Sequence, residues 1–221
     1  MVRCNLKGLR VVVLVVLSWT WAGAAFAVPV TVNFDNPQDS LWVGSNLPSP
    51  FESADSDLLQ FSHTTVPNAL FMQNIPAFTV AGNGLFVAGD HVDGALLIEL
   101  DTRADEISLW FGNDIFLESA LGVQIEYEVV LTTYLGITQV GQTSLMPNYD
   151  GVMNEMISFE GAQFDSAILK FDVDPQFGLA EAVDSVFVNV IPEPGASLLF
   201  GAGALLVATA LRRRAAWSKA C

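Results

Sequence analysis

Alternation of apolar and polar residues with a period of two is the feature that most constrains the fold of this chain. In segment 30–34, Val30, Val32 and Phe34 alternate with polar residues. Because successive side chains of a strand point to opposite faces, this period is typical of half-buried β-strands. Further candidate strands are 95–100, 107–111, 123–129, 137–140, 156–159, 167–171 and 186–190.

Turn-forming residues separate these segments, and no helical period appears between them. The turn signals are Asn36-Pro37, Gly82-Asn83-Gly84, Asp93-Gly94, Gly112-Asn113-Asp114, Asp150-Gly151 and Asp174-Pro175. About eight strands joined by such turns predict an all-β domain, a β-sandwich or jelly roll. The stretch from Pro37 to Phe78 lacks a clear pattern, and we expect long loops there.

The first 27 residues have the three parts of a secretory signal peptide. Three cations precede an apolar run over 11–22, and Ala25 and Ala27 then flank Phe26. This pattern predicts export and cleavage by signal peptidase after Ala27. An uncleaved anchor helix is the alternative, but the apolar run is short for a membrane span.

A second apolar run, 195–211, lies near the C-terminus and contains no charged residue. As a helix it is about 26 Å long, enough to cross the hydrocarbon core of a bilayer. The alternative, a buried core helix, would show a polar stripe, whereas the run has only Ser197 and Thr209 as polar residues. The basic residues after it predict a cytoplasmic end, so the preceding domain lies outside. This topology agrees with the signal peptide.

The C-terminal segment 191–221 resembles the PEP-CTERM sorting signal. The resemblance covers three parts in order, the PEP motif, the apolar helix and a basic cluster: Pro192, Glu193, Pro194, then 195–211, then Arg212, Arg213 and Arg214. It implies export across the inner membrane of a Gram-negative bacterium, transient anchoring, and processing near the motif by an exosortase. It also implies a final place on the cell surface or in an exopolysaccharide or biofilm matrix. Residues 28–190 are then the exported domain.

The exported part of the chain is strongly acidic. Residues 28–191 contain two basic and 23 acidic residues, a net charge of −21. Such a field repels phosphate, so nucleic acid is excluded as a partner. Cys4 and Cys221 both lie outside this part, which excludes a cysteine nucleophile and a thiolate zinc site in the domain.

The ends of the domain suggest a calcium site. The start VTVNFDN and the ending AEAVDSVFVNVIPEP resemble jelly-roll domains that precede PEP-CTERM tails, many of which are carbohydrate-binding modules with a structural calcium. Calcium takes six to eight oxygen ligands. The candidate ligands are Asp35 or Asp39 near the first strand together with Asp184 at the last, since first and last strands are often neighbours in such folds. The same acids also suit turns and solvated faces.

Few other residues point to chemistry. Trp42 and Trp110 are the tryptophans of the domain, and either stacks on a sugar ring or packs in the core. His91 lies between two Asp residues, which suits a polar loop better than a metal site, and no nucleophile elbow or phosphate loop is present. The leading hypothesis is a non-enzymatic surface or matrix protein that binds polysaccharide. A secreted carbohydrate hydrolase and a purely structural matrix protein are the alternatives.

Overall fold

The alternating segments form strands, and their apolar side chains supply one core. The structure is a computed structural model that describes residues 27–67, 69–75, 82–88, 95–112, 127–147, 154–172 and 180–191. One compact unit spans Ala27–Val190. The PEP motif, the apolar run 195–211, the basic cluster and all of the signal peptide except Ala27 lie outside the described residues. Within the described residues, no helix has the length and apolarity needed to cross a membrane.

The prediction of an all-β fold is confirmed, with eleven strands among the described residues in place of about eight. The elements are β1 (Val28–Val32), a short 3₁₀ helix (Asp39–Trp42), β2 (Ser45–Asn46), β3 (Phe51–Glu52), β4 (Leu59–His63), β5 (Leu70–Ile75), β6 (Gly82–Ala88), β7 (Ala95–Gly112), β8 (Glu128–Leu135), β9 (Thr138–Leu145), β10 (Glu155–Asp172) and β11 (Ala180–Ile191).

Several strands differ in extent from the sequence expectations. Segments 95–100 and 107–111 are parts of the single strand β7, and 156–159 and 167–171 are parts of β10. The pairing of β7 with β10 shifts register between Glu160 and Ser166, so a bulge lets each strand continue where two were expected. The stretch 37–78 contains the 3₁₀ helix and strands β2 to β5 rather than long loops alone.

The strands belong to one open antiparallel sheet that folds into two layers along β7 and β10. The order is β2-β5-β6-β11-β7-β10-β8-β9, with β1 on β11 and with β4 joining β3 to β7. The first half of β7 pairs with β4, and the second half of β10 pairs with β8. These segments, with β3 and β9, form what we call the first layer. The remaining strands and strand halves form the second layer.

The inner faces of the two layers pack against each other through aromatic rings. Phe34, which follows β1, meets Phe61 of β4 with ring centroids 5.3 Å apart, and Phe111 of β7 meets Phe171 of β10 at 5.9 Å. Phe34, Phe61 and Phe111 are fully buried. Burial of each such ring stabilises the fold by roughly 2–3 kcal/mol. The result is the face-to-face packing of a β-sandwich.

Candidate functional site

Strands β1 and β6 lie end to end along one edge of β11. Val32 is the register partner of Val186, and Leu85 is the partner of Val183. Between these pairs β11 contributes Asp184 and Ser185. Ser185 has a φ of 49° and Phe34 a φ of 58°, values that are uncommon for residues with a side chain. The backbone is therefore irregular where β1 ends and β6 begins.

The side chains at this point form what we call the acidic junction: Asp35, Asn83, Asp184 and Ser185. The Asn83 amide N–H donates to Asp35 Oδ1 at 2.8 Å, and Asn83 Nδ2 donates to the Phe34 carbonyl oxygen at 3.0 Å. A Cβ added to Gly82 would lie 2.5 Å from Asp35 Oδ1. Gly82-Asn83-Gly84 is the start of β6 and not the predicted turn. The glycine at position 82 lets the Asp35 carboxylate approach the strand closely.

Asp184 is the buried acid of the junction, with a side chain 2% exposed. Burial raises its pKa to about 6, the Ser185 N–H that donates to Asp184 Oδ1 at 2.6 Å opposes that rise, and the negative charge of Asp35 adds to it. The structure therefore brings together Asp35 and Asp184, as the calcium hypothesis required. Both carboxylates already accept a backbone hydrogen bond.

Asp39, the alternative to Asp35 in the calcium hypothesis, faces another segment. It is 2% exposed, and its carboxylate accepts hydrogen bonds from the Ser53 hydroxyl at 2.5 Å and the Ala54 N–H at 2.9 Å. Within the described residues, no three His, Cys, Asp or Glu side chains form a group that could hold a metal ion. Of the two alternative pairs, the structure thus brings Asp184 together with Asp35, while Asp39 accepts hydrogen bonds elsewhere. A calcium site, which would need six to eight oxygen ligands, stays a prediction.

The two tryptophans lie on different elements. Trp110 is half-buried on β7 between the buried Leu109 and Phe111, so it is on the outer face of the second layer. Its register partner is Met156, which is 50% exposed. Trp42 is 40% exposed at the end of the 3₁₀ helix. His91 lies outside the described residues.

A row of polar side chains crosses the outer face of the first layer, and sequence reasoning missed it. Six register partners on six successive strands form this polar row: Glu52 of β3, Gln60 of β4, Glu99 of β7, Ser166 of β10, Tyr134 of β8 and Gln139 of β9. All six are exposed or half-buried, whereas the neighbouring Phe61, Ile98 and Ala167 are buried in the core. Five strand spacings give the row a length of about 24 Å.

Hydrogen bonds hold several side chains at the polar row in place. Gln60 Nε2 donates to Glu52 Oε1 at 2.8 Å, and Gln139 Nε2 donates to Gln142 Oε1 at 3.0 Å. Between Tyr134 and Glu99 stands only the small side chain of Ser166. The row therefore offers carboxylate, amide and hydroxyl groups and one aromatic ring along a line, with the small side chain of Ser166 between Glu99 and Tyr134.

Comparisons with known proteins show a fold but no family. No protein-family model matches the chain, and no curated protein matches it either. A solved DUF4465 family protein from Bacteroides caccae is similar over 74% of this chain and 99% of its own, with a TM-score of 0.50 and 14% identity. This likeness shows the fold alone.

Two weaker likenesses involve domains of larger proteins. The K2 cleaved adhesin domain of Lys-gingipain matches over 74% of this chain and 100% of its own, with a TM-score of 0.41 and 10% identity. The CBM51-2 and INT domains of Clostridium perfringens ZmpB match over 49% of this chain and 22% of their own, with a TM-score of 0.35 and 15% identity. Neither likeness carries an argument about what the present chain binds.

Proposed function

We propose that this chain is an exported, non-enzymatic protein of the cell surface or extracellular matrix that binds polysaccharide along the polar row. One observation carries the proposal: six exposed or half-buried hydrogen-bonding side chains, one of them Tyr134, stand in register on six successive strands. A sugar ring presents hydroxyl groups at its rim and an apolar face. Amides and carboxylates suit the rim, and a tyrosine ring suits the face.

Hydrogen bonds that order side chains at the polar row favour ligand binding over an ordinary solvated surface. Gln60 and Glu52 hold each other, as do Gln139 and Gln142. Side chains that are already ordered lose less conformational entropy when a ligand arrives, so each new hydrogen bond contributes more to affinity. A linear polymer that crosses the strands would contact several of these groups at once.

The hydrolase alternative draws on the acidic junction. A carboxyl group with a raised pKa beside a second acid is an arrangement that suits a general acid. Asp184, however, is 2% exposed and accepts the Ser185 N–H. A general acid must come within hydrogen-bond distance of the substrate. Because burial keeps a polymer away from Asp184, we favour a structural role for the pair.

Affinity electrophoresis of the full chain through gels that contain the host exopolysaccharide tests the binding proposal. Tyr134→Ala and Glu99→Gln should each raise the dissociation constant, derived from the retardation, by about tenfold, equivalent to about 1.4 kcal/mol of binding free energy. Glu160→Gln is the matched control, because Glu160 is an exposed acid on β10 outside the polar row. Trp110→Ala tests the alternative that the sugar stacks on Trp110, on the outer face of the second layer. Unchanged retardation of both row variants, or loss confined to Trp110→Ala, would contradict the proposal.

We also propose that the two terminal segments direct the protein out of the cell and that an exosortase processes it near Pro192-Glu193-Pro194. Mass spectrometry of the exported protein should find an N-terminus at Val28 and no residue of the basic cluster. In an exosortase-deficient host, the C-terminal tail should remain. A mature form that begins at Met1, or matrix-associated protein that keeps Cys221, would argue against this route.

A further inference from the structure

The charge along the polar row limits which polysaccharides can lie on it. Glu52 and Glu99 belong to the row, and the exposed Asp101 follows Glu99 by two residues on β7. Glu99 and Asp101 have no ion-pair partner among the described residues. Their negative charge therefore acts on whatever binds there.

Basic side chains stand away from the row. Residues 28–191 contain only Arg103 and Lys170 as basic residues. Arg103 is four residues from Glu99 along β7, and Lys170 is four residues from Ser166 along β10, so each Cα lies about 13 Å from the row. Lys170 also forms an ion pair with Asp172 at 3.3 Å. A polyanion on the row would thus find carboxylates beneath it and no adjacent cation.

The groups of the row also recur at a regular spacing. Glu52 and Glu99 are two strands apart, and Tyr134 is two strands beyond Glu99, so each interval is about 10 Å. This interval is comparable with two sugar units of an extended chain. A carboxylate can pair with an ammonium group, and the Tyr134 ring can take the face of a sugar or a nearby cation.

We propose that the polar row selects a linear polysaccharide with free amino groups, in which protonated amino sugars pair with Glu52 and Glu99. Polymers of uronic acids or sulfated sugars are rejected, because their charges would meet these carboxylates. The inference rests on the proposed binding function and narrows its ligand class. It follows from the position of carboxylates inside the row and of both cations outside it.

Calorimetric titration of the full chain with hexamers of glucosamine, N-acetylglucosamine and mannuronate tests this selectivity. The glucosamine hexamer should bind at least about tenfold more tightly than the N-acetylated one at low salt, and the advantage should shrink at about 1 M salt. Glu99→Gln should lose most of that advantage, so that the glucosamine and N-acetylglucosamine hexamers bind it with similar affinity. Glu160→Gln, an equal charge change elsewhere on the surface, should keep the advantage.

The outcomes separate this inference from the proposed function. If all three hexamers bind equally, or the mannuronate hexamer binds best, the amino-sugar inference fails and polysaccharide binding stands. If no hexamer and no native polymer binds, both fail. A hexalysine peptide controls for simple attraction to an acidic protein: binding as tight as that of the glucosamine hexamer, and equally weakened by both variants, would overturn the inference.

Discussion

The acidic junction and the polar row contain the same kind of side chain in opposite surroundings. Asp184 of the junction is 2% exposed and accepts a backbone N–H, and its pKa is raised to about 6 chiefly by burial. Glu99 of the row is exposed and has no partner among the described residues. Buried carboxylates hold segments together by accepting hydrogen bonds, whereas exposed carboxylates without partners stay available to a ligand. Abundance of acids alone does not distinguish the two uses.

The largest expected effect is the difference in stability between a variant that lacks a buried carboxylate and one that lacks an exposed carboxylate. Asp39→Ala removes the acceptor of the Ser53 hydroxyl and the Ala54 N–H, so the free energy of unfolding should fall by about 3 to 4 kcal/mol. Glu99→Ala removes an exposed group, and the change should stay within about 0.5 kcal/mol. Urea unfolding followed by circular dichroism measures both values.

Asp39→Asn is the control for the loss of charge alone. It keeps an oxygen that accepts one of the two hydrogen bonds, so its cost should lie between those of the two alanine variants. Equal costs for Asp39→Ala and Glu99→Ala would remove the distinction between buried and exposed carboxylates.

A pH dependence of stability should follow from the raised pKa of Asp184. Between its ordinary value of 3.8 and about 6, the folded state binds the proton more tightly than the unfolded state. The stabilisation from the protonated form is therefore complete below about pH 4 and is lost as the pH rises to about 6, by about 2 to 3 kcal/mol. Asp184→Asn, which stays neutral, should lack this fall and be the more stable protein at pH 7.

Unfolding midpoints measured from about pH 4 to about pH 7 give the difference between wild type and variant. Glu99→Gln is the matched change in the polar row and controls for the loss of one carboxylate. If the wild-type protein instead became more stable than Asp184→Asn as the pH rises, a cation or another group would have to favour the ionised form of Asp184. Addition of calcium and then of chelator at pH 7 identifies a cation as the cause.

Sequence periodicity was sufficient for the all-β class because alternation depends on neighbouring residues alone. It could also pair Asp35 with Asp184, since the rule that first and last strands are neighbours applies to β1 and β11. It could not place Asp39, whose partners Ser53 and Ala54 lie in a stretch without a pattern. It also took Gly82-Asn83-Gly84 for a turn, because the reason for Gly82 is a carboxylate 47 residues earlier in the chain.

The polar row was invisible to sequence reasoning for a similar reason. Its members run from Glu52 to Ser166, and no two of them are closer in sequence than Tyr134 and Gln139. Each residue alone is an ordinary polar position on the outer face of a strand. Only the register of five strand pairings aligns them, and bulges in β7 with β10 and in β8 with β9 change that register by amounts that no local pattern encodes.

The smallest expected effects concern two glycines that each lie beside a carboxylate. Gly82→Ala should cost about 1 kcal/mol, because the new Cβ would lie 2.5 Å from Asp35 Oδ1 and would displace that carboxylate from the Asn83 N–H. Gly136→Ala should cost a similar amount for another reason. Nothing lies within 4 Å of its Cβ position, but its φ of 59° disfavours a side chain.

Double-variant cycles separate these two causes. Asp35→Ala should relieve most of the cost of Gly82→Ala, because the overlapping carboxylate is gone. Asp165→Ala should not relieve Gly136→Ala, although Asp165 accepts the Gly136 N–H, whereas Gly136→Asn should be nearly neutral because asparagine tolerates positive φ. If Asp35→Ala gives no relief, the close approach of Asp35 to β6 does not explain Gly82. The junction would then owe its geometry to the backbone at Phe34 and Ser185 and not to its carboxylates.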